Sequence, residues 1–297
     1  MTDLSTELFV AHRNLLFTVA YEMVGSAADA EDVLQETWLR WSEVGLDHVR
    51  EPRAFLLRIT TRQALNRIRS MQGRKEVYVG SWLPEPLLTA PDVAEHAELV
   101  ESLSMAMMLV LETLAPTERA VFVLREVFDV SYDEIAAVVD KSPAAVRQIA
   151  HRARRHVAAR RPREAASPRE TRAALDAFRQ AVETGDPQAL LDVLAPEVVL
   201  VADGGGVRQA VLRPVVGADR VARLMLGGLG RAGGAGLRLT IGPTVVNGNP
   251  ALVVHLNDQL DGILAARVEH ARITGLYYVR NPDKLSRLDS ATALTLR

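Results

Sequence analysis

The sequence predicts a multidomain fold: two all-α helical domains, the second a helix-turn-helix, followed by an α+β domain. Three observations lead there. Apolar residues recur at helical spacing through the first part of the chain, with one proline-rich interruption. Two helix starts, Ser131-Tyr132-Asp133-Glu134 and Ser142-Pro143, stand close together around a short turn. From about residue 169 onward, one more helical stretch gives way to short β-rich runs separated by Gly and Asn turns.

A length of 297 residues exceeds one typical domain. Hydrophobic residues make up 48% of the chain, enough to build real cores. No apolar run approaches membrane-spanning length, so no membrane partner is expected. The first nine residues carry Asp3 and Glu7 and lack the basic-then-apolar pattern of a signal peptide. Cysteine is absent, which excludes disulfides, cysteine zinc sites and thiol nucleophiles. These features predict a cytoplasmic protein with no metal and no cofactor. The net charge of −2 alone counts against a nucleic-acid binder. Its distribution counts for one: basic residues crowd into 50–75 and 141–163, and acids lie between them and in 29–36.

In chain order, Ser26 opens a helix with Asp29 three residues on, and Ala30, Val33, Leu34, Thr37, Trp38 and Trp41 repeat at helical spacing. Pro52 starts a helix running to about Met71, with Leu57, Ala64, Ile68 and Met71 as its buried stripe. Arg58, Arg62, Asn66 and Arg69 fall on another face, followed by Arg74 and Lys75. Trp82-Leu83-Pro84-Glu85-Pro86 and Pro91 make 77–98 a proline-containing linker. Helix returns near Ala94, runs through Leu114, restarts at Pro116 and continues to about Phe128. A capping box at Ser131 and Glu134 opens a helix over 132–139, Asp140-Lys141 turns the chain, and Ser142-Pro143 opens the next helix. Val146, Ile149, Ala150, Ala153 and Val157 bury one face of that last helix. A basic linker spans 160–168. A helix over 169–184 follows, then strands at 198–201, 237–246, 251–256, 263–268 and 271–279, with a helix over 216–226 between the first two. The units are therefore 1–76, 99–162 and 169–297.

Three stretches carry binding chemistry. Arg147, Gln148 and His151 suit base edges in a major groove, while Arg154 and Arg155 suit phosphates. An ordinary helical hairpin with a solvated basic face has the same pattern. The arginine stripe on 52–75 can track a phosphate backbone, and Asn66 can bond an exposed base; alone it is equally a solvated surface. The acids Asp29, Glu31, Asp32 and Glu36 favour a helix N-terminus without any partner, or present a face to a basic protein.

Together these pieces resemble a known family. Asp29-Ala30-Glu31-Asp32-Val33-Leu34-Gln35-Glu36-Thr37-Trp38 and Pro52-Arg53-Ala54-Phe55-Leu56-Leu57-Arg58-Ile59 are similar to region 2 of extracytoplasmic-function sigma factors. Leu114-Ala115-Pro116-Thr117-Glu118-Arg119, Ile135-Ala136, Ala145-Val146-Arg147-Gln148 and Arg152-Ala153-Arg154 resemble region 4. The ordered set spans roughly residues 5–160. One departure is Asp140, where the family's turn commonly has Gly; Asp tolerates the left-handed conformation better than most residues. The resemblance implies that Asp29, Asp32, Gln35 and Glu36 face the clamp helices of the largest subunit of core RNA polymerase. It implies that Arg58, Arg62, Asn66, Arg67 and Arg69 engage the melted −10 element of promoter DNA. Arg147, Gln148, His151, Arg154 and Arg155 would then read or hold the −35 element.

Tyr78-Val79-Gly80-Ser81-Trp82-Leu83-Pro84-Glu85-Pro86, Asp203-Gly204-Gly205-Gly206 and Asn281-Pro282-Asp283-Lys284-Leu285 are similar to the members with a fused SnoaL-like domain. In these the cone-shaped tail is thought to regulate the sigma module in cis. The implied contacts are Trp82, Leu83, Pro84, Asp203, Asn281, Pro282, Asp283, Lys284 and Leu285. Such a cone can also hold a small-molecule ligand. Lys often follows the glycine run in the family; here Val207 and Arg208 follow. Asp203, His255 and Asp258 are the ionisable candidates for cyclase- or isomerase-like chemistry, but a lone Asp before glycines is more often a turn residue, and the expectation is no enzyme. Gly228-Leu229-Gly230-Arg231-Ala232-Gly233 spells a dinucleotide fingerprint outside its required context and is expected to be a flexible loop. The rival reading is a ligand-sensing helix-turn-helix regulator independent of polymerase, which leaves the 29–38 and 52–75 motifs unexplained.

Overall fold

The computed structural model describes residues 4–46, 49–89, 97–160, 166–288, 292, 294 and 295. Pro91, Ala94 and most of the 160–168 linker lie outside these, as do the side chains of Arg74 and Lys75. Helices α1 (Leu4–Val24), α2 (Ala27–Ser42) and α3 (Pro52–Glu76) pack mutually as a three-helix group. Ser26 caps α2, its hydroxyl accepting the Asp29 N–H at 3.2 Å. Trp41 is fully buried at the end of α2, and its indole N–H donates to Ser5 O at 2.8 Å, which ties α2 back to the start of α1.

The second group comprises α4 (Ala97–Ser102), α5 (Met105–Glu112), α6 (Pro116–Phe122), a π-turn (Val123–Val127), α7 (Tyr132–Val139) and α8 (Pro143–Ala158). The single helix expected through Leu114 is two, because Ser104 starts a new one, accepting the Met107 N–H at 3.2 Å. The capping box forms as expected: Ser131 Oγ accepts from Glu134 N–H at 3.2 Å, and the Glu134 carboxylate accepts from Ser131 N–H at 3.1 Å. Asp140 ends α7 in the left-handed region at φ 54°, and Ser142 with Pro143 starts α8. The two helical groups share one continuous apolar core, running from Leu16 and Leu56 to Val123, Ile135 and Ile149.

The third unit is an α+β cone. Its elements are α9 (Pro168–Thr184), α10 (Pro187–Val193), β1 (Leu194–Asp203), β2 (Val215–Val216), α11 (Ala218–Gly234), β3 (Leu239–Val246), β4 (Asn249–Leu256), β5 (Gln259–Glu269), β6 (Arg272–Val279) and α12 (Pro282–Leu285). The sheet runs β2-β1-β6-β5-β4-β3, with β1 parallel to β6 and every other pair antiparallel. Strand alternation sends Leu200, Leu264 and Leu276 to one face, against α9, α10 and α11. The opposite face sends Val246, Ala251, Ile263, Ala265, Tyr277 and Val279 against Leu83 of the linker and Met105 of α5. Both faces are therefore buried, the second by the helical part of the chain itself.

Three further local expectations change. Residues 228–233 are helical within α11 rather than a loop. Each glycine costs about 1 kcal/mol of helix propensity, but Val221, Ala222, Leu224 and Met225 pack on the sheet and override it. The proline-containing segment 83–87 is buried throughout. Strands β1, β4 and β5 begin earlier than expected. Helix α10, with Asp186 capping and Pro187 at its first turn, carries too few residues to declare a period. The left-handed Asp140 makes a test: Asp140→Gly should keep or raise stability by up to about 1 kcal/mol, and Asp140→Val should cost about 1–2 kcal/mol, read by denaturant unfolding.

Candidate functional site

On α8 the expected division holds. Val146, Ile149, Ala150, Ala153 and Val157 are buried, while Arg147, Gln148, His151, Arg154 and Arg155 are exposed. Arg154 reaches back to Glu126 at 3.0 Å, and Arg147 lies over the Tyr132 ring at 5.9 Å. These contacts splay the cations along the outer face without covering Gln148 or His151.

On α3 the stripe divides. Asn66 and Arg69 are exposed. Arg58 stacks on Phe55 at 4.6 Å. Arg67 binds Asp29 and Asp32, with its Nε 2.6 Å from Asp29 Oδ1 and its Nη2 2.6 Å from Asp32 Oδ2. Asp29 is consequently buried against α3, whereas Asp32, Gln35 and Glu36 remain exposed on α2. Arg62 leaves its own group altogether. Its Nη2 donates to Ala137 O at 2.9 Å and its Nε to Val138 O at 3.2 Å, so it caps the carbonyl end of α7 in the helix-turn-helix. Beside this contact a cavity of about 230 Å³ remains between α3 and α7, lined by Phe55, Arg58, Thr61, Ala137 and Val138.

The regulatory residues converge on Asp203, whose side chain is wholly buried. Its Oδ1 accepts the Tyr78 hydroxyl at 2.6 Å and the Gly205 N–H at 3.0 Å. Its Oδ2 accepts the Leu83 N–H at 2.8 Å and the Lys284 ammonium at 2.7 Å. Lys284 also donates to Leu83 O at 2.5 Å and sits over the rings of Trp82 at 4.2 Å and Tyr78 at 5.1 Å. Asn281 closes the ring, donating to the Tyr78 oxygen at 2.8 Å and capping α12 through Asp283 N–H. Burial, and then the Asp203 carboxylate, push the Tyr78 hydroxyl above the phenol range, keeping it a donor. Gly205, at φ 62°, is required here: a Cβ would stand 2.4 Å from the Asn281 carboxamide. Trp82, Leu83, Asp203, Asn281, Lys284 and Leu285 thus meet, and Pro84 is buried beside them; Pro282 is half-exposed and Asp283 is exposed. With four donors on Asp203, no oxygen of it is free to act as a base.

Comparison with known proteins identifies the family. A sigma-70 region 2 model matches residues 8–74, and a sigma-70 region 4 model matches residues 104–157. The chain is 35% identical over 289 residues to the ECF RNA polymerase sigma factor SigJ of Mycobacterium tuberculosis, covering 94% of this chain and 92% of that protein. It is 33% identical to the probable ECF sigma factor SigI of the same species, over 94% and 93% of the two chains. The crystal structure of the M. tuberculosis sigma factor SigJ superposes with a TM-score of 0.75 at 31% identity, over 96% and 99% of the chains. The chain belongs to the extracytoplasmic-function family of RNA polymerase sigma factors. Its third unit is the fused SnoaL-like domain. No helix among the described residues is long and apolar enough to cross a membrane.

A second buried cluster joins regions 2 and 4 of this sigma factor. Arg119 of α6 donates Nε at 3.2 Å and Nη2 at 2.8 Å to the Glu22 carbonyl of α1, and Nη1 to Glu112 at 2.5 Å. The Glu22 carboxyl accepts the Ser102 hydroxyl at 2.6 Å. Burial pushes Glu22 up to about 8, against the lowering pull of Ser102 and Arg119. Sequence reading missed this cluster, because a lone Glu in an apolar helix and an Arg in a region 4 motif carry no sign of each other.

Two outcomes follow. A carboxyl raised in the folded state contributes its full stability below the ordinary value near 4.5 and loses it as pH rises toward 8. Stability should fall over that window by at most about 1.4 kcal/mol per pH unit from this group, and Glu22→Gln should flatten the curve in thermal melts between pH 5 and 8.5. Lys284→Met strands the Asp203 charge and should cost about 3–5 kcal/mol; adding Asp203→Asn should recover part of it in denaturant titrations.

Proposed function

We propose that this sigma factor directs core RNA polymerase to promoters whose −10 element is read from α3 and whose −35 element is read from α8. We further propose that the folded arrangement described above is its closed form, held in cis by the SnoaL-like domain. Asp32, Gln35 and Glu36 offer an exposed acidic face for the clamp helices of polymerase, while Asp29 supports them by anchoring Arg67. Asn66 and Arg69 face solvent for the opened strand; Arg147, Gln148 and His151 face solvent for the major groove.

The observation that carries the closed-form reading is the bond from Arg62 to the α7 carbonyls. Elements about 20–25 base pairs apart are separated by roughly 70–85 Å of duplex. A reader whose α3 touches α7 cannot span that distance, so regions 2 and 4 must part on the promoter. The open cleft between α3 and α7 supports a contact made to separate, since side chains packed across it would strengthen it. The saturated Asp203 and the sequestered linker support a regulatory rather than catalytic cone.

Transcription from the chain's own upstream promoter with purified core polymerase tests this. The full chain should produce a promoter-dependent transcript, falling steeply with salt. Arg147→Ala with Gln148→Ala should lower it about tenfold or more, because a side chain paired with a base edge supplies about 1–3 kcal/mol. The absence of native cysteine allows a reversible thiol crosslink between Ala54→Cys on α3 and Ala137→Cys on α7, which line one cavity. Crosslinking should abolish the transcript and reduction should restore it; undiminished transcription from the crosslinked protein would refute the closed-form reading.

A further inference from the structure

The segment Leu83-Pro84-Glu85-Pro86-Leu87 has every second backbone donor removed, because proline has no N–H, and it leads into the bridging residues Leu88 and Thr89. Three donors remain, and each goes to a different element. Leu83 N–H binds Asp203 of β1 at 2.8 Å. Glu85 N–H binds Gly25 O, between α1 and α2, at 2.9 Å. Leu87 N–H binds the side-chain Oδ1 of Asn247 at 2.9 Å. Asn247 belongs to the β3–β4 turn and none of the sequence motifs includes it. It is 1% exposed and left-handed at φ 53°.

Asn247 does more than turn the chain. Its own N–H donates to Leu87 O at 2.8 Å, so one residue takes both backbone groups of Leu87. Its Oδ1 lies 3.2 Å from the Tyr21 hydroxyl of α1, which itself donates to Glu85 O at 2.5 Å. Its Nδ2 faces Met108 Sδ of α5 at 3.6 Å. The pairing then continues: Leu88 bridges Val246 antiparallel, and Gly248 N–H donates to Thr89 Oγ1 at 2.8 Å. On the other edge Thr292 N–H donates to Leu88 O at 2.7 Å. Beyond it Leu294 is buried in the helical core, and Thr295 N–H donates to Thr18 of α1 at 3.0 Å.

We infer that the SnoaL-like domain captures the linker by strand addition, and that the β3–β4 turn with Asn247 is a docking site for residues 87–89 separate from the Asp203–Lys284 cluster. Main-chain pairing supplies the hold, and Leu83, buried against the inner face of the cone's sheet, supplies selectivity, while Leu87 is buried in the helical core. The prolines fix the register: a slip by one residue would set a proline, with no donor, against Asp203 or Asn247 and turn Leu87 outward. A turn alone would accept Gly or Asp at 247. The buried Leu87 N–H requires an acceptor, and a carboxylate there would bury an unpaired charge. The consequence for transcription rests on the cis-regulatory reading above, but the contact does not.

Amide-resolved hydrogen exchange on the full chain tests it. Asn247→Gly keeps the left-handed turn and deletes the carboxamide. Leu87 and Thr89 should then exchange at least tenfold faster, with Leu83 and the β5–β6 amides unchanged. Lys284→Ala should do the reverse, exposing Leu83 and sparing Leu87. Unchanged exchange at Leu87 in the glycine variant would overturn the proposal, as would equal loss of protection across β5 and β6, which would mark Asn247 as a cone-folding residue only. A failed transcription assay leaves this measurement standing, since exchange is read on the protein alone.

Discussion

The carboxylate of Asp203 is the constraint on which the arrangement of the three units depends. A charge with no solvent access must be met by donors of fixed position. Here those donors come from the linker, from the glycine turn after β1 and from α12. The sheet can hold Asp203 in this state only while the linker lies across it, so the electrostatics of one residue couple the path of the linker to the integrity of the cone. Lys284 is an apt partner because its compact ammonium sits over two aromatic rings while reaching both Asp203 and the Leu83 carbonyl. Arg would need room for a planar fork.

A sheet covered on both faces explains why the tail is no appendage. Alternation along β5 and β6 gives one face to α9–α11 and the other to Leu83 and Met105. Taking the cone away would leave Ile263, Tyr277 and Val279 on one side, and Leu83 and Met105 on the other, exposed to water. The linker therefore has a definite conformation set by two partners, and its position relative to region 2 is fixed through Glu85. That side chain accepts the Ala27 N–H at 2.8 Å and the Ser26 hydroxyl at 3.1 Å at the start of α2. The helix that bears the exposed acidic face is thus capped by the segment the cone holds.

Regions 2 and 4 meet in two ways of different character. Deep in the joint, Glu22, Ser102, Arg119 and Glu112 make a buried polar cluster within a continuous apolar core. At the rim, Arg62 and the cavity beside it make a looser contact. The rim covers part of the arginine stripe on α3 while leaving Asn66 and Arg69 open. Separation of the groups would begin where packing is poorest and would finally expose Glu22, whose raised titration then relaxes toward that of an ordinary carboxyl.

Much of this molecule is local and was therefore legible in its residues. The capping box at Ser131 and Glu134, the Ser142-Pro143 start, the buried stripe from Val146 to Val157 and the left-handed Asp140 are decided within a few residues of chain, where short-range hydrogen bonds and helical periodicity dominate. The convergence of Trp82, Asp203, Asn281 and Lys284 was legible only through family resemblance, since no spacing joins residues roughly 80 to 200 positions apart. What tertiary structure alone decided is where polar groups find partners across such distances. Arg62 caps α7, Arg67 holds Asp29, Glu22 meets Ser102 and Asn247 takes Leu87. The glycine-rich end of α11 is helical because packing on the sheet outweighs propensity. Each is a polar group or apolar face whose partner is chosen by the fold, and such a choice leaves no periodic signal in sequence.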